Sequence, residues 1–248
     1  PELLIMEETT LILLQLLLAH ILTDFVLQPT KLVNHKRERK ASSWFLYFHS
    51  FLAGFLTYLF LQQWHLWYIP TVISVSHFFI DLWKLQHKKD TLKLFLSDQL
   101  WHILIIILVW LYLIEGFSEL IPFIAEIFSS QQILAILMGY LLVIFPTGFL
   151  IGKATSRWHN ELEPSGESHS LEAAGRYIGI FERILVLTFI LTNNFSAIGF
   201  LIAAKSILRF SDKTDASARK QTEYVLIGTL MSFAITILIG LLVRYFLF

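Results

Sequence analysis

The sequence lacks cysteine altogether and is poor in charged residues. With no cysteine among its 248 residues, the chain can form no disulfide and offers no thiolate to a metal. Lysine, arginine, aspartate and glutamate make up 15% of it, against about 25% in ordinary soluble domains. These charges cancel to a formal net charge of zero, so bulk charge indicates no nucleic-acid partner.

Long apolar runs take the place of the missing charge. Hydrophobic residues make up 56% of the chain, and they gather in eight segments, most of them close to the roughly 20 residues that a helix needs to cross a bilayer. The sequence therefore predicts an all-α, polytopic transmembrane helical bundle. The segments are 9–28, 43–62, 66–83, 92–114, 131–152, 175–191, 195–210 and 223–248, of which the seventh is short enough to be re-entrant.

Lysine and arginine are distributed unevenly among the connections between these segments. The connections after segments one, three, five and seven are basic, whereas 63–65, 115–130 and 192–194 contain neither residue. The positive-inside rule then places the N-terminus outside and predicts a multi-pass membrane protein. A polar cytoplasmic loop, 153–174, is expected to divide a front bundle, 1–152, from back segments at 175–248 within one membrane domain.

Four of the front segments carry histidine where a membrane helix should be apolar. Three of these histidines have an aspartate four residues away, which puts both side chains on one face of a helix. With the orientation above and about 1.5 Å of rise per residue, all seven side chains fall in one layer, roughly 5–15 Å from the cytoplasmic boundary. The layer comprises His20, Asp24, His49, His77, Asp81, Asp98 and His102.

Imidazole and carboxylate together suit a divalent transition metal. Zinc is favoured, with manganese and iron as alternatives, and the number of ligands allows one or two ions. The carboxylates Asp24, Asp81 and Asp98 are also candidates for a general base. Two other interpretations stay open: interhelical hydrogen bonds that hold the bundle together, and a buried proton or ion relay.

The back segments carry a cationic group at the same predicted level. Arginine and lysine bind phosphate well, so this group is a candidate clamp for an anionic headgroup. Pairing with Glu182, or snorkelling to lipid headgroups, would explain the same residues without a substrate. The substrate-binding candidates are Arg176, Arg183, Lys205 and Arg209, with Gln28 and Gln99 of the front bundle as hydrogen-bonding residues that orient ligands or substrate.

Over nearly its whole length, the chain resembles a bacterial family of multi-spanning membrane proteins known as domain of unknown function 3307. The resemblance rests on LLLAHILTDFVLQP (residues 16–29), FHS (48–50), HFFID (77–81) and DQLWH (98–102), and on the back-half stretches GIFERIL (179–185), AAKSILRF (203–210) and EYVLIGTLMSF (223–233). The family has no assigned activity, so the resemblance implies a multi-pass protein of the bacterial cytoplasmic (inner) membrane and no reaction. In the pattern of its residues, the front half is also similar to membrane-bound metal-dependent hydrolases, whose helices carry histidine and aspartate for a metal centre.

These observations favour a membrane-embedded metal-dependent hydrolase that acts on a lipid or another anionic amphiphile, such as a phospholipid, at the cytoplasmic leaflet. The bilayer is the expected partner, and the oligomeric state is left open. A transporter or channel that uses the His/Asp layer as a relay is one alternative. A membrane sensor or scaffold stabilised by its metal is the other.

Overall fold

The described part of the chain is helical along nearly its whole length. The computed structural model describes residues 2–87, 89–162, 169–210 and 216–247, and gives only the backbone for 2–6, 157–162, 169–174, 206–210 and 216–225. These ranges contain α-helices, short π-helical and 3₁₀-helical turns and their connections, and no strand. The prediction of an all-α protein is confirmed.

The chain divides into two compact units, Pro1–Ile121 and Pro122–Phe248. In the N-terminal unit, α1 runs directly into a π-helical turn, Leu22–Val26, and α3 and α5 each pack against both α1 and α4. A hydrophobic core that includes Leu16, Ala53 and Ile106 lies between these helices. The helices of this unit are α1 (Glu2–Ile21), α2 (Thr30–Arg39), α3 (Trp44–Leu61), α4 (Tyr68–Gln86) and α5 (Leu92–Leu113).

The C-terminal unit is built around its last helix. This helix, α11, packs against α7, α8 and α9, and α10 packs against α9. Its core is formed by Val186, Ile190, Ile198 and Phe233. The remaining helices are α6 (Leu120–Ser129), which contains the boundary between the units, α7 (Gln131–Ile144), α8 (Pro146–Leu162), α9 (His169–Leu191), α10 (Phe195–Phe210) and α11 (Ala216–Tyr245).

Five stretches of the described chain are long and apolar enough to cross a membrane, which marks a membrane protein. They are Glu7–Val26, Trp44–Leu61, Leu92–Leu113, Gln131–Ser156 and Leu226–Tyr245. Helix α4 is not among them because His77, Asp81 and Lys84 reduce its apolar character. The remaining three predicted crossings, in α4, α9 and α10, stay predictions, as does the placement of the N-terminus outside.

The predicted segment 131–152 is one apolar run in the sequence and two helices in the structure. Pro146 has no N–H to donate to the carbonyl of Leu142, and α7 ends two residues before this proline. The hydroxyl of Thr147 donates to that carbonyl instead, at 2.9 Å. The break therefore leaves no unpaired acceptor at Leu142.

Three predicted connections prove to contain helix. Helix α8 continues to Leu162 and α9 begins at His169, so the prediction of a loop over 153–174 is wrong for both of its ends, and its centre, 163–168, lies outside the described residues. The physical reason is composition: residues 153–162 contain neither glycine nor proline, whereas Pro164 and Gly166 fall in the interval between the helices. Helices α2 and α6 likewise occupy stretches that were predicted as connections.

Gly54 allows α3 and α4 to approach each other closely. A Cβ atom at this position would overlap the backbone carbonyl oxygen of Pro70 and the hydroxyl of Ser74, both on α4. The carbonyl cannot move without moving the helix, so any side chain here would push α3 and α4 apart. Helix α3 carries His49, and α4 carries His77 and Asp81. The spacing between these helices therefore helps to position the site described next.

We expect Gly54→Ala to lower the free energy of unfolding by about 1–3 kcal/mol, the usual cost of overpacking a helix contact. Gly152→Ala is the matched control, because a Cβ on Gly152 of α8 meets nothing within 4 Å, and alanine is the better helix former. Thermal or denaturant unfolding in detergent measures both. Equal stability of the two variants would show that the α3–α4 contact tolerates a methyl group.

Candidate metal centre

Four helices of the N-terminal unit bring the seven predicted histidine and aspartate side chains together. His20 lies in the last turn of α1 and Asp24 in the π-helical turn that follows, while α3 supplies His49. Helix α4 supplies His77 and Asp81, and α5 supplies Asp98 and His102. Each of the seven side chains is at most 7% exposed.

Asp24 lies at the middle of this cluster. Its backbone is part of a turn closed by a hydrogen bond from Leu27 N to Leu22 O at 2.8 Å, five residues apart, a geometry that often occurs at functional sites. Imidazole nitrogens of all four histidines approach its carboxylate. The distances to the nearer oxygen are 3.2 Å for His77, 3.4 Å for His49, 3.8 Å for His20 and 4.0 Å for His102.

A second carboxylate group lies on the other side of His102. The Nε2 atom of His102 is 3.7 Å from Asp98 Oδ1 and 3.8 Å from Asp81 Oδ1. His102 is also near His77, with ring centroids 4.2 Å apart. The two groups of ligand atoms therefore share His102 and form one continuous cluster.

Two lysines bind this second group, and sequence reasoning missed both. Lys36 Nζ donates to Asp81 Oδ2 at 2.6 Å, and Lys84 Nζ donates to Asp98 Oδ2 at 2.6 Å. Lys36 is only 4% exposed although it belongs to a strongly basic stretch that the sequence assigned to a cytoplasmic connection. Lys84 could have been recognised from its position three residues after Asp81 on α4. For Lys36 the sequence contains no comparable indication.

Each lysine occupies one oxygen of its carboxylate and leaves the other facing His102. With neutral imidazoles, three carboxylates and two lysines give the cluster a net charge of −1. A buried negative charge of this size attracts a cation.

Gln28 and Gln99 join the cluster by hydrogen bonds. Gln99 Nε2 donates to Asp98 Oδ2 at 3.1 Å and to Asp24 Oδ2 at 3.4 Å, and its Oε1 is 3.3 Å from His20 Nε2. In the amide orientation that satisfies both of its ends, Gln28 donates to the backbone oxygen of Asp24 and accepts from Lys36 and His49. Both glutamines thus contact ligand candidates, and their predicted role in orienting ligands or substrate stays a prediction.

Several buried polar atoms of the cluster have no hydrogen-bond partner among the described residues. They are Asp24 Oδ1, His49 Nδ1, His77 Nε2, Asp98 Oδ1 and His102 Nε2. Such atoms are rare in folded proteins because each costs about 1–3 kcal/mol when buried unpaired. Coordination of a cation by the ligand groups to which they belong would satisfy four of these atoms, since all but His49 Nδ1 face another ligand atom of the cluster.

The spacing of the ligand atoms fits a metal ion. Ligands about 2.1 Å from one zinc ion stand about 3.4 Å apart at tetrahedral angles, and Asp24 lies 3.2 and 3.4 Å from its two nearest histidines. Three overlapping groups have ligand atoms within 4.8 Å of one another: His20, His77 and His102; Asp24, His49 and His77; and Asp81, Asp98 and His102. Buried histidine and aspartate groups are therefore positioned to bind a metal ion.

The cationic candidates of the back half lie in the C-terminal unit and have contacts of their own. Buried Arg183 donates from Nε to the backbone oxygen of Val143 at 2.5 Å, beside the break between α7 and α8. Lys205 forms an ion pair with Glu182 at 2.6 Å, and Arg176 is exposed. The side chain of Arg209 lies outside the described residues. Their predicted role in headgroup binding stays a prediction, and for Arg183 the observed contact favours a structural role.

Residues 12–130 match the model of a family described as "Protein of unknown function (DUF3307)". This part of the chain is a DUF3307 domain. The match contains the whole histidine and aspartate cluster together with Lys36, Lys84 and both glutamines. It excludes the cationic candidates of the back half and the three back-half stretches that resemble the family, so the resemblance beyond residue 130 stays a prediction. No curated protein and no solved structure matches the chain. The DUF3307 domain and its buried cluster therefore coincide, which directs the search for function to this half.

We expect the purified protein to contain about one equivalent of a divalent transition metal per chain, held by the DUF3307 domain. His77→Ala should release it, because His77 belongs to two of the three ligand groups. Exposed His65, in the connection between α3 and α4, supplies the matched control His65→Ala. Elemental analysis of the folded variants decides the matter, and metal-free wild-type protein with an intact fold would contradict the metal centre.

Proposed function

We propose that the protein is a membrane-embedded, metal-dependent hydrolase that acts on a lipid or another anionic amphiphile. The observation that carries the proposal is the set of buried imidazole and carboxylate atoms that lack hydrogen-bond partners while facing one another. Ionisable groups inside apolar helices are costly and mark function by default. Asp81 supports catalysis beyond mere metal storage, because it belongs to the cluster and also lines an adjoining cavity.

A single divalent ion suits the charge of the cluster best. The net charge of −1 becomes +1 with one such ion and +3 with two, and a buried excess of three positive charges would be strongly disfavoured. Zinc is the leading candidate because four histidines and carboxylates, without any thiolate, form a typical zinc ligand set. Manganese and iron remain the alternatives, since they accept the same ligands.

In this proposal most residues of the cluster are metal ligands, and one is the general base. His20, His49, His77 and His102 supply imidazole nitrogens, and Asp24, which all four approach, supplies a carboxylate oxygen at their centre. Asp98 turns one oxygen toward His102 and completes the ligand set. When bound, the metal would lower the pKa of a water molecule and polarise the scissile ester or phosphoester.

Asp81 is the proposed general base. In ester hydrolysis the water oxygen bonds to the carbonyl carbon or phosphorus, and the bond to the alcohol oxygen breaks. The proton removed from water passes to the Asp81 carboxylate and from there to the departing alcohol, so ester and water give acid and alcohol. Lys36 orients Asp81 by its 2.6 Å hydrogen bond, and Gln28 and Gln99 orient the ligands.

The orientation of the chain completes the proposal. We place the N-terminus outside the bacterial inner membrane, with α4, α9 and α10 added to the five apolar stretches to give eight segments, α10 being the short one. The basic connections then lie in the cytoplasm. The cluster, one or two turns from them, faces the cytoplasmic leaflet and its anionic lipids, for which Arg176, Lys205 and Arg209 are further candidate contacts.

An ion or proton relay is the second candidate function. It is favoured by the unbroken series of contacts from Lys36 through Asp81, His102 and Asp98 to Lys84. Proton relays in membrane proteins are built from such series of titratable groups. This reading needs no metal, so it makes the opposite prediction for elemental analysis.

We expect Asp81→Asn to lower the hydrolysis of a phospholipid substrate in mixed micelles about 10²–10⁴-fold while the metal content is retained, because the base is lost and the other ligands remain. Asp24→Asn should instead lose both metal and turnover. Glu126→Gln, an exposed carboxylate-to-amide change on α6, is the matched control and should keep both.

Other outcomes assign the protein to the other classes. Metal-free protein that conducts ions or protons in proteoliposomes, and stops doing so after Asp81→Asn, would replace the hydrolase with the relay. Stoichiometric metal with neither turnover nor flux would indicate a sensor or scaffold whose metal is structural.

Single cysteines test the orientation cleanly, because the chain has none of its own. In intact cells a membrane-impermeant maleimide should label Ser118→Cys, in the turn before α6, and should reach Glu38→Cys, on α2, only after permeabilisation. Both side chains are exposed. The reverse labelling would place the cluster in the outer half of the membrane and contradict the assignment to the cytoplasmic leaflet.

A further inference from the structure

A cavity of about 290 Å³ adjoins the metal centre. Its walls come from α2, from the last turns of α4 and from the connection that leads to α5. Four residues already described line it where it meets the cluster: Gln28, Lys36, Asp81 and Lys84. A ligand in the cavity would therefore lie next to the proposed base.

The lining of this cavity is strongly basic. Five cations and two carboxylates face it, a net charge of +3 with His87 neutral. Its remaining wall is partly apolar, formed by Val33, Leu85 and Leu94. The charged residues are Lys36, Arg37, Lys40, Lys84 and Lys89, with Asp81 and Asp90 opposite them.

Two of the five cations are available to a ligand. Lys36 and Lys84 are bound to Asp81 and Asp98, and exposed Arg37 is paired with Asp90. Lys40 and Lys89 have no ion pair within the ranges that the structure describes. These two lysines come from different elements, α2's C-terminal end and the α4–α5 connection, so the charges converge across the cavity.

Lys40 is held in an unusual backbone conformation. Its φ of 48° and ψ of −123° belong to a region that glycine adopts readily and in which other residues are strained. A lysine at this point therefore reduces stability. Strained conformations cluster at functional sites, and the Lys40 side chain lines the basic cavity.

We propose that this cavity binds the phosphate group of a phosphomonoester, either as a lipid headgroup or as a soluble phosphate ester. A phosphomonoester carries a charge of about −1.5 to −2 at neutral pH, which two unpaired lysines match. A volume of about 290 Å³ lies at the lower end of ligand sites, so it admits a headgroup and leaves an acyl chain outside. The further step of regarding this ligand as the substrate rests on the proposed function.

The site differs from the one predicted from the sequence. Sequence reasoning assigned the anionic group to Arg176, Arg183, Lys205 and Arg209 of the C-terminal unit. The cavity assigns it to α2 and the α4–α5 connection, within the DUF3307 domain itself. The domain then contains both the centre and the binding site of its ligand.

Calorimetric titration of the full-length protein in detergent tests the proposal. The probes are inorganic phosphate, glycerol 3-phosphate and phosphatidic acid in mixed micelles. We expect the double variant Lys40→Ala/Lys89→Ala to bind each probe about tenfold or more weakly, through loss of two charge-assisted contacts. Lys31→Ala/Arg39→Ala removes the same charge from exposed positions of α2 outside the cavity and should bind as the wild type does.

A second variant separates binding from folding. Lys40→Gly should raise the unfolding temperature, since glycine tolerates the positive φ, and should weaken phosphate binding at the same time. Binding that is tighter for phosphatidic acid than for glycerol 3-phosphate would identify a lipid headgroup, and equal binding a soluble ester. Either result supports the cavity as a phosphate site.

The inference is overturned if phosphate does not bind to the wild type, or if Lys40→Ala/Lys89→Ala binds it unchanged. That failure differs from a failure of the proposed function. If the protein contains no metal and hydrolyses nothing, the hydrolase is wrong, and a difference in phosphate binding between the two double variants would still establish the cavity. Unchanged binding together with intact metal and turnover would remove the cavity alone.

Discussion

Burying three carboxylates among apolar helices is the constraint on which the DUF3307 domain depends. The cost of dehydrating one isolated charge is several kcal/mol even after relaxation, so no single helix can carry Asp24, Asp81 or Asp98 into the bundle alone. Each carboxylate is compensated by side chains from other helices: imidazoles and Gln99 around Asp24, and a lysine on each of the other two. The relative positions of α1, α3, α4 and α5 are thereby fixed by polar contacts as well as by packing.

Lys36 extends this constraint to a helix that does not need to cross the membrane. Because its ammonium group reaches Asp81, α2 must lie against the end of the bundle, and the stretch that follows it turns at Lys40. The same arrangement creates the basic cavity. The compensation of a buried charge and the construction of a binding site are thus achieved by one helix.

The seven-residue cluster could be predicted from the sequence because two simple patterns indicate it. Four-residue spacing places His20 with Asp24, His77 with Asp81 and Asp98 with His102 on shared faces, and the alternating basic connections predict a common depth for these side chains. The lysines were not accessible, because the rule that orients the chain also assigns every loop lysine to water or headgroups. Lys36 and Lys84 instead bind the carboxylates of Asp81 and Asp98. Composition explains the helices within 153–174 only after the fact, since a polar helix and a polar loop look alike without a packing partner.

The π-helical turn at Leu22–Val26 has a consequence for comparing related sequences. A single residue added to or removed from an α-helix rotates everything beyond it by about 100°, so the wide turn sets the phase of Asp24 and Gln28 relative to His20. A relative could keep every ligand and still lack this centre if its count between His20 and Gln28 differed by one. Whether a related protein shares this centre should accordingly be judged by the length of that interval as well as by its residue identities.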